Sequence, residues 1–155
     1  ESMAWNIGDH GFEMVLGTYV PHIIDDHIVG ALEPLLARDP SLAPLAYNDI
    51  EHWAIHPGGR SILDKVEAKL ELSEEQLVPA RETLRNFGNM SSATVMFVLK
   101  NILEQPFTGG NERICSMAFG PGLTVETGLF TRVPGTGAAA AADALAAEPV
   151  PAAVG

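Results

Sequence analysis

The sequence has one cysteine, few basic residues and no long apolar run. The single cysteine, Cys115, excludes an internal disulfide and favours a reducing, cytoplasmic location. Nine lysines and arginines against 20 aspartates and glutamates give a net charge of −11, which disfavours nucleic acid as a partner. No apolar run approaches the roughly 20 residues of a membrane-spanning helix, and the first residues lack the pattern of a signal peptide. We therefore expect no membrane insertion.

What is present is enough apolar sequence for a folded core. Hydrophobic residues make up 46% of the 155 residues and charged residues 19%, a balance typical of globular domains. Cys115 lies in the short apolar run "RICSMAF". We expect this cysteine to be a buried small hydrophobe and not a nucleophile.

The first half of the chain alternates between strand and helix patterns. "SMAWNIGDHGFEMVLGTYV" predicts a β-hairpin that turns around Asp9-His10-Gly11. A helix is predicted from Pro21, with an apolar face formed by Ile24, Ile28, Leu32 and Leu35. "IEHWAI" predicts a short buried strand ending at His56.

Two helices are predicted after that strand. The first begins at Ser61 and carries an apolar stripe of Ile62, Leu63, Val66 and Leu70. The second begins with a capping box and ends near "FG" at residues 87–88. The side chains of this capping box are Ser73 and Gln76.

The second half of the chain is more apolar. "NMSSATVMFVLKNIL" is the most apolar helix pattern, and we expect this helix to be buried nearly all round. "RICSMAF" and "TVETGLFTRV" predict two strands that flank the loop "GPGL". The class is therefore α/β with a layered core in residues 1–133, and the Ala-, Pro- and Gly-rich residues 134–155 are predicted to form a flexible tail.

Two polar residues stand at ends of predicted elements beside glycines. His56 precedes Pro57-Gly58-Gly59, and Asn89 follows Gly88. If the two loops meet, the imidazole N–H and the carboxamide NH₂ would point at one oxygen, as stabilisation of a thioester enolate requires. Such an imidazole would also hold a cysteine as its thiolate.

For each residue taken alone, a purely structural role is the more common one. A histidine at a strand end commonly hydrogen-bonds to backbone, and an asparagine after glycine is commonly a helix N-cap. His52 and His56 share a strand face, but no third ligand stands at metal spacing, so no metal site is predicted.

Three motifs in order resemble one family. "WAIHPGGRSIL", "LRNFGNMSSATVMFVL" and "AFGPGLTVET" resemble successive signatures of type III polyketide synthases, the chalcone and stilbene synthase relatives within the thiolase superfamily. The similarity runs from about Ser2 to Val133. It implies a thiolase-like layered fold, of which this chain is the C-terminal half, with a mixed sheet packed against helices.

The resemblance implies a Cys-His-Asn triad in which His56 and Asn89 are the matching histidine and asparagine. In the family they orient the malonyl thioester, promote its decarboxylation and stabilise the enolate and the tetrahedral oxyanion. The backbone of Ser61 matches a position that touches coenzyme A. The residues that match cavity-lining positions are Met14, Ser91, Phe119, Gly120, Pro121 and Gly122.

The sequence departs from the family pattern at several positions. Ala118 replaces the first glycine of the Gly-Phe-Gly-Pro-Gly loop, and Arg60 stands where plant relatives commonly have proline. Met14, in place of a gating aromatic, favours a longer and more adaptable cavity and an aliphatic acyl starter. In the family the nucleophilic cysteine lies in the N-terminal half, so the resemblance implies that it lies upstream, as do the basic residues for the coenzyme A phosphates. Cys115 does not match the nucleophile.

The resemblance implies a decarboxylative Claisen condensation. The complete enzyme would condense malonyl-CoA with an acyl-CoA starter and cyclise the product to a pyrone or resorcinol, as a homodimer with no separate cofactor. This chain, without the missing N-terminal half, is predicted to be inactive. The alternatives are a ketoacyl-ACP synthase III, against which the "GPG" loop argues, and a non-catalytic interaction module.

Overall fold

The fold begins with a two-stranded hairpin. The computed structural model describes residues 3–8, 11–16, 20–38, 40, 42, 46–110, 112–120 and 124–133, and only the backbone before residue 27. Strands β1 (Met3–Gly8) and β2 (Gly11–Leu16) pair antiparallel along their whole length. The predicted hairpin is confirmed in its strands, while residues 9 and 10 of its turn lie outside the described residues.

Four α-helices follow the hairpin in the described residues. They are α1 (Val20–Leu36), α2 (Arg60–Leu70), α3 (Glu74–Phe87) and α4 (Thr94–Glu104). The fourth begins at Thr94, five residues after the start of its sequence pattern, because Ser91–Ala93 form a separate 3-10 turn. The apolar stripe predicted for α2 is the set that is buried. The capping box of α3 is formed, since the Ser73 hydroxyl accepts from the Gln76 N–H and the Gln76 side chain accepts from the Ser73 N–H.

A three-stranded mixed sheet carries the core. Its strands are β3 (His52–Ile55), β4 (Glu112–Gly120) and β5 (Thr124–Arg132), in that spatial order. β3 and β4 are parallel, and β4 and β5 are antiparallel. Helices α3 and α4 pack on β3, while α1 packs against α2 and β5. The predicted α/β class with a mixed sheet packed against helices is therefore confirmed.

The core is built around β3. Trp53, Ala54 and Ile55 are consecutive and fully buried, as is typical of a strand covered on both faces. Cys115 is also fully buried, in β4 beside Trp53. Because β3 is held in the core up to Ile55, the backbone position of His56 directly after it is fixed.

The prediction that the most apolar helix is buried nearly all round is wrong for this chain. In α4 only Thr94, Val98 and Ile102 are buried, while Met96 is 62% and Leu103 54% exposed. Within the described residues α4 packs against α3 and β3, and these cover one face. An apolar pattern shows that a helix avoids water, but it does not show which surface covers each face.

The predicted tail, residues 134–155, lies outside the described residues.

Candidate active site

His56 lies directly after β3 and is held by the sheet. Its backbone N–H donates to the Met117 carbonyl at 2.8 Å, which extends the parallel pairing one residue beyond the strand. Its side chain is buried, with 8% of the residue exposed. Burial lowers the pKa of His56 below its ordinary value, because an imidazolium is poorly solvated there. The imidazole is therefore neutral at neutral pH, with one N–H donor and one acceptor nitrogen.

The turn after His56 is closely packed at Gly58 and open at Gly59. The Gly58 N–H donates to the His56 carbonyl at 3.0 Å and closes the turn. A Cβ on Gly58 would lie 2.9 Å from the Ile62 side chain and 3.8 Å from His56 Nε2. Glycine therefore keeps the space beside the imidazole open.

The start of α2 completes this loop. Gly59 stands at its N-cap position and makes no side-chain cap, and Arg60 is the first helical residue. Ser61, in the first turn, is exposed. No side chain of residue 59 therefore accepts a hydrogen bond from the backbone N–H groups in the first turn of α2.

Asn89 brings the second loop to the first. Its Nδ2 donates to the Gly58 carbonyl at 3.2 Å. Its Oδ1 accepts from the Ser91 N–H at 2.9 Å. The two loops named from the sequence do meet, and the carboxamide NH₂ faces the turn that begins with His56. Asn89 is also exposed, so its second N–H is open to a ligand.

The remaining predicted residues lie around these loops or outside the described part. Ser91 is exposed and adopts φ 60°, a left-handed conformation uncommon for serine. Phe119 and Gly120 are half-buried at the end of β4, the same end of the parallel pair as His56. Met14 lies in β2, where only the backbone is described. Pro121 and Gly122 lie outside the described residues.

Cys115 cannot serve as a nucleophile in this environment. It is fully buried in β4, and burial raises the pKa of its thiol to about 12. The thiolate, which is the reactive form, is therefore essentially absent at neutral pH. The nucleophile that a Cys-His-Asn triad needs is not this residue.

Sequence patterns did not reveal two polar clusters that the structure shows. One is the fully buried Thr94, whose hydroxyl contacts the Asn89 loop. The other is the buried Glu112 carboxylate, which binds His52 and Arg132. A threonine opening an apolar helix was a weak signal for the first cluster. No local signal exists for the second, because its partners lie 60 and 20 residues away.

Two concave surfaces in the described part of the chain lie away from His56 and Asn89. A cleft of about 450 Å³ lies between α2 and α3 and includes Arg60 and Arg81. A groove of about 490 Å³ runs along α4 and β5. The described residues contain no group of three or more side chains suited to a metal ion, and none of their helices has the length and apolarity to cross a membrane.

Residues 1–134 match the family model of the C-terminal domain of chalcone and stilbene synthases. The chain is 38% identical to type III polyketide synthase 10 of Oryza sativa subsp. japonica over 133 residues, which is 80% of this chain and 32% of the relative. It is 37% identical to type III polyketide synthase C of Arabidopsis thaliana over 123 residues, or 77% of this chain and 31% of the relative. The chain thus spans about a third of the length of these curated relatives.

Solved structures show the same similarity in three dimensions. The chain matches the fungal type III polyketide synthase ORAS with a TM-score of 0.75 and 29% identity, over 85% of this chain and 37% of that one. It matches CsyB, solved in complex with CoA-SH, with a TM-score of 0.75 and 25% identity, over 86% of this chain and 37% of that one.

Proposed function

Because the chain belongs to the chalcone and stilbene synthases as their C-terminal domain, we propose that it supplies the histidine and asparagine of a decarboxylating condensation enzyme. A malonyl-CoA unit would lose CO₂, and the resulting enolate would attack the thioester carbonyl of a starter acyl group that the expected upstream cysteine has taken from acyl-CoA, with release of CoA. The new carbon–carbon bond would form as the cysteine thiolate leaves. The observation that carries this proposal is the hydrogen bond from Asn89 Nδ2 to the Gly58 carbonyl, which joins the two loops.

The chemistry follows from two neutral donors on two loops that meet. Loss of CO₂ places negative charge on the thioester oxygen, and fixed N–H donors lower the barrier to forming that charge. His56 supplies an imidazole that burial keeps neutral, and Asn89 supplies the free N–H of its carboxamide. Both donors are held before reaction, so little reorganisation opposes charge development.

Coenzyme A thioesters are the proposed substrates. The similar protein CsyB has been solved with CoA-SH bound, which supports this substrate class. The uncapped first turn of α2 offers backbone donors at Ser61, next to the open turn at Gly58. We assign Ser91, Phe119 and Gly120 to the cavity wall because they adjoin the two loops and the end of β4. Met14, Pro121 and Gly122 are assigned to the wall by resemblance alone.

The site needs a further segment to be complete. The chain spans about a third of its curated relatives, and the nucleophilic cysteine is expected in the part that precedes it. That segment would cover the exposed face of α4, where Met96 and Leu103 lie. The complete enzyme is proposed to be a cytoplasmic homodimer that forms pyrone or resorcinol products.

Substitutions at the two donors test the proposal in the complete protein. We expect His56→Gln and Asn89→Ala each to lower the rate of malonyl-CoA decarboxylation and condensation by about 10²- to 10³-fold. Asn86→Ala is the matched control, because Asn86 is an exposed asparagine at the end of α3. Unchanged rates in both donor variants would overturn the proposal.

The choice of substrate separates the alternatives. Turnover with malonyl-CoA as the extender supports a polyketide synthase, whereas a requirement for malonyl groups carried on an acyl carrier protein points to a ketoacyl-ACP synthase III. A complete protein that turns over no thioester indicates an interaction module.

A preference for aliphatic over aromatic starters is expected from Met14, and a clear aromatic preference would contradict that assignment.

The chain by itself is predicted to form no product. It has the proposed histidine and asparagine, but its one cysteine is buried with a pKa of about 12. Incubation of this chain with malonyl-CoA and acyl-CoA starters, followed by mass spectrometry of the products, checks the prediction. Condensation products from the chain alone would show that the nucleophile lies within it.

A further inference from the structure

The carboxamide of Asn89 is held in one orientation by its own loop. Its oxygen accepts from the Ser91 N–H at 2.9 Å, and its nitrogen donates to the Gly58 carbonyl at 3.2 Å. A backbone N–H can only donate and a carbonyl can only accept, so these two bonds together define which end is nitrogen. A flip of the carboxamide would break both bonds and turn the NH₂ group away from the His56 turn.

The turn that holds the oxygen of the Asn89 carboxamide contains an unusual backbone conformation at Ser91. Ser91 has φ 60°, in the left-handed region that residues other than glycine seldom adopt. This conformation sets the direction of the Ser91 carbonyl, which accepts from the Thr94 hydroxyl at 2.8 Å. The Ser91 N–H that binds Asn89 Oδ1 is oriented by the backbone of Met90, with φ −94° and ψ 26°. Surrounding contacts must hold a residue there, because the isolated backbone favours other conformations.

Thr94 provides those contacts. It is the first residue of α4 and is fully buried. Its hydroxyl accepts from the Met90 N–H at 2.8 Å and donates to the Ser91 carbonyl at 2.8 Å. Its oxygen also lies 3.5 Å from Asn89 Oδ1. One buried hydroxyl therefore touches each of the three residues 89, 90 and 91.

We propose that Thr94 is a positioning residue, whose buried hydroxyl holds the Asn89–Ser91 turn and thereby keeps the carboxamide NH₂ directed at the His56 loop. The inference rests on the proposed role of Asn89 as a donor to the substrate oxygen. It adds a residue that never touches the substrate and acts through the asparagine. Without the hydroxyl, the Met90 N–H loses its partner and the Ser91 carbonyl keeps only the Thr94 backbone N–H, so the turn relaxes and the carboxamide is released.

A set of variants of the complete protein tests this inference. Thr94→Val has nearly the same shape but lacks the hydroxyl, while Thr94→Ser keeps it. We expect Thr94→Val to lower kcat for condensation by about 10- to 100-fold, since misplacing a catalytic group costs rates of this order. KM for the acyl-CoA starter should change little, and Thr94→Ser should restore most of the rate.

A double-mutant cycle separates positioning from a general structural role. In the Asn89→Ala background, Thr94→Val should have almost no further effect on kcat, because the residue through which it acts is gone. An equal loss in both backgrounds would overturn the inference. So would a Thr94→Val variant with unchanged kcat, or a Thr94→Ser variant as slow as Thr94→Val.

A spectroscopic measurement distinguishes failure of this inference from failure of the proposed function. With ¹⁵N-labelled asparagine, the side-chain NH₂ signal of Asn89 is assigned by its loss in Asn89→Ala. We expect this signal to shift in Thr94→Val and to return in Thr94→Ser, whether or not the protein turns over any thioester. A signal unaffected by Thr94→Val would overturn the inference even if the function is correct.

One measurement on the unmodified protein remains decisive if Thr94→Val does not fold. The Met90 amide lies outside the helices, and its hydrogen bond is to the buried Thr94 hydroxyl. Slow hydrogen exchange at Met90 and a through-space contact between the Asn89 NH₂ and Gly58 are expected. Fast exchange together with the absence of that contact would overturn the inference.

Discussion

At the scale of single residues, burial sets the chemistry of the two titratable groups that matter most. Burial lowers the pKa of His56 and raises that of Cys115. Both pKa shifts have one cause, because burial disfavours the charged form of each side chain. The consequence differs: the neutral imidazole remains a useful donor, whereas the neutral thiol is inert.

The lowered pKa of His56 predicts a loss of stability in acid. Its folded pKa lies below the unfolded value of 6.5, so the unfolded state binds the proton first as pH falls. The free energy of unfolding should therefore decrease from about pH 6.5 downwards through the folded pKa. Urea unfolding at a series of pH values measures this dependence. We expect His56→Gln to remove that part of the slope, and an unchanged slope would contradict the prediction.

Cys115 is predicted to resist alkylation in the folded protein. With a pKa of about 12 and no exposed surface, it presents almost no thiolate at pH 7.5. Iodoacetamide treatment followed by mass spectrometry should leave the mass of the folded chain unchanged. The same treatment in 8 M urea is the control and should add one carbamidomethyl group. Rapid labelling without urea would show that the strand opens.

At the scale of the elements, one ionic cluster ties α4 to the sheet. The buried Glu112 carboxylate accepts from the Thr108 N–H at 2.7 Å and also binds His52 and Arg132. Arg132 in turn donates to the carbonyls of Leu103 and Gln105 at the end of α4. The Thr108 N–H bond is the leading cause that lowers the pKa of Glu112 to about 2. The cluster therefore stabilises the fold above pH 4.5 and loses this effect as pH falls towards 2.

Removal of Arg132 should destabilise the chain strongly. Arg132→Gln leaves the Glu112 charge buried with fewer partners and frees carbonyls at the end of α4. We expect a loss on the order of 3 kcal/mol in the free energy of unfolding, measured by urea denaturation. Lys100→Gln is the control, because it removes an exposed ion pair with Glu104 worth about 0.5 kcal/mol or less. Similar losses in both variants would show that the buried cluster contributes no more than a surface pair.

At the scale of the whole molecule, an apolar surface remains uncovered. We call the set Met96, Leu99, Leu103, Ile114 and Phe130 the α4–β5 face; it lines the 490 Å³ groove. Met96, Leu103 and Phe130 are each more than half exposed. Exposed apolar patches of this kind mark surfaces that bind another part of the protein or another chain. The chain spans about a third of its curated relatives, and the occupant proposed for this face is the remaining part of a protein of that length.

The α4–β5 face is predicted to make the isolated chain associate. Leu103→Lys with Phe130→Lys should shift the chain towards the monomer, because the charges oppose burial of the face. Light scattering coupled to size-exclusion chromatography measures the mass. Val78→Lys is the control, since Val78 is 38% exposed on α3 and outside that face. If all three forms of the chain are monomeric, the face does not drive association of the isolated chain.

Local patterns in the sequence determined most of the elements. The hairpin strands, the apolar stripe of α2 and the capping box of α3 depend on residues within about ten positions of one another. Periodicity and capping chemistry report such local preferences directly. The motifs "IHPGG" and "GNMSS" likewise located His56 and Asn89 on loops at the ends of elements.

Tertiary structure alone decided which groups meet. The bond from Asn89 to Gly58 spans 31 residues and that from His52 to Glu112 spans 60, so no local pattern encodes either one. The exposed face of α4 was missed for the same reason, because apolarity is a property of the helix while burial depends on its neighbours. The amino-acid sequence thus determined the elements and the types of residue at the site. The packing of β3 beside β4, and of α3 and α4 against β3, decided which site residues contact one another. Only the folded chain brings residues distant in the sequence within hydrogen-bonding distance.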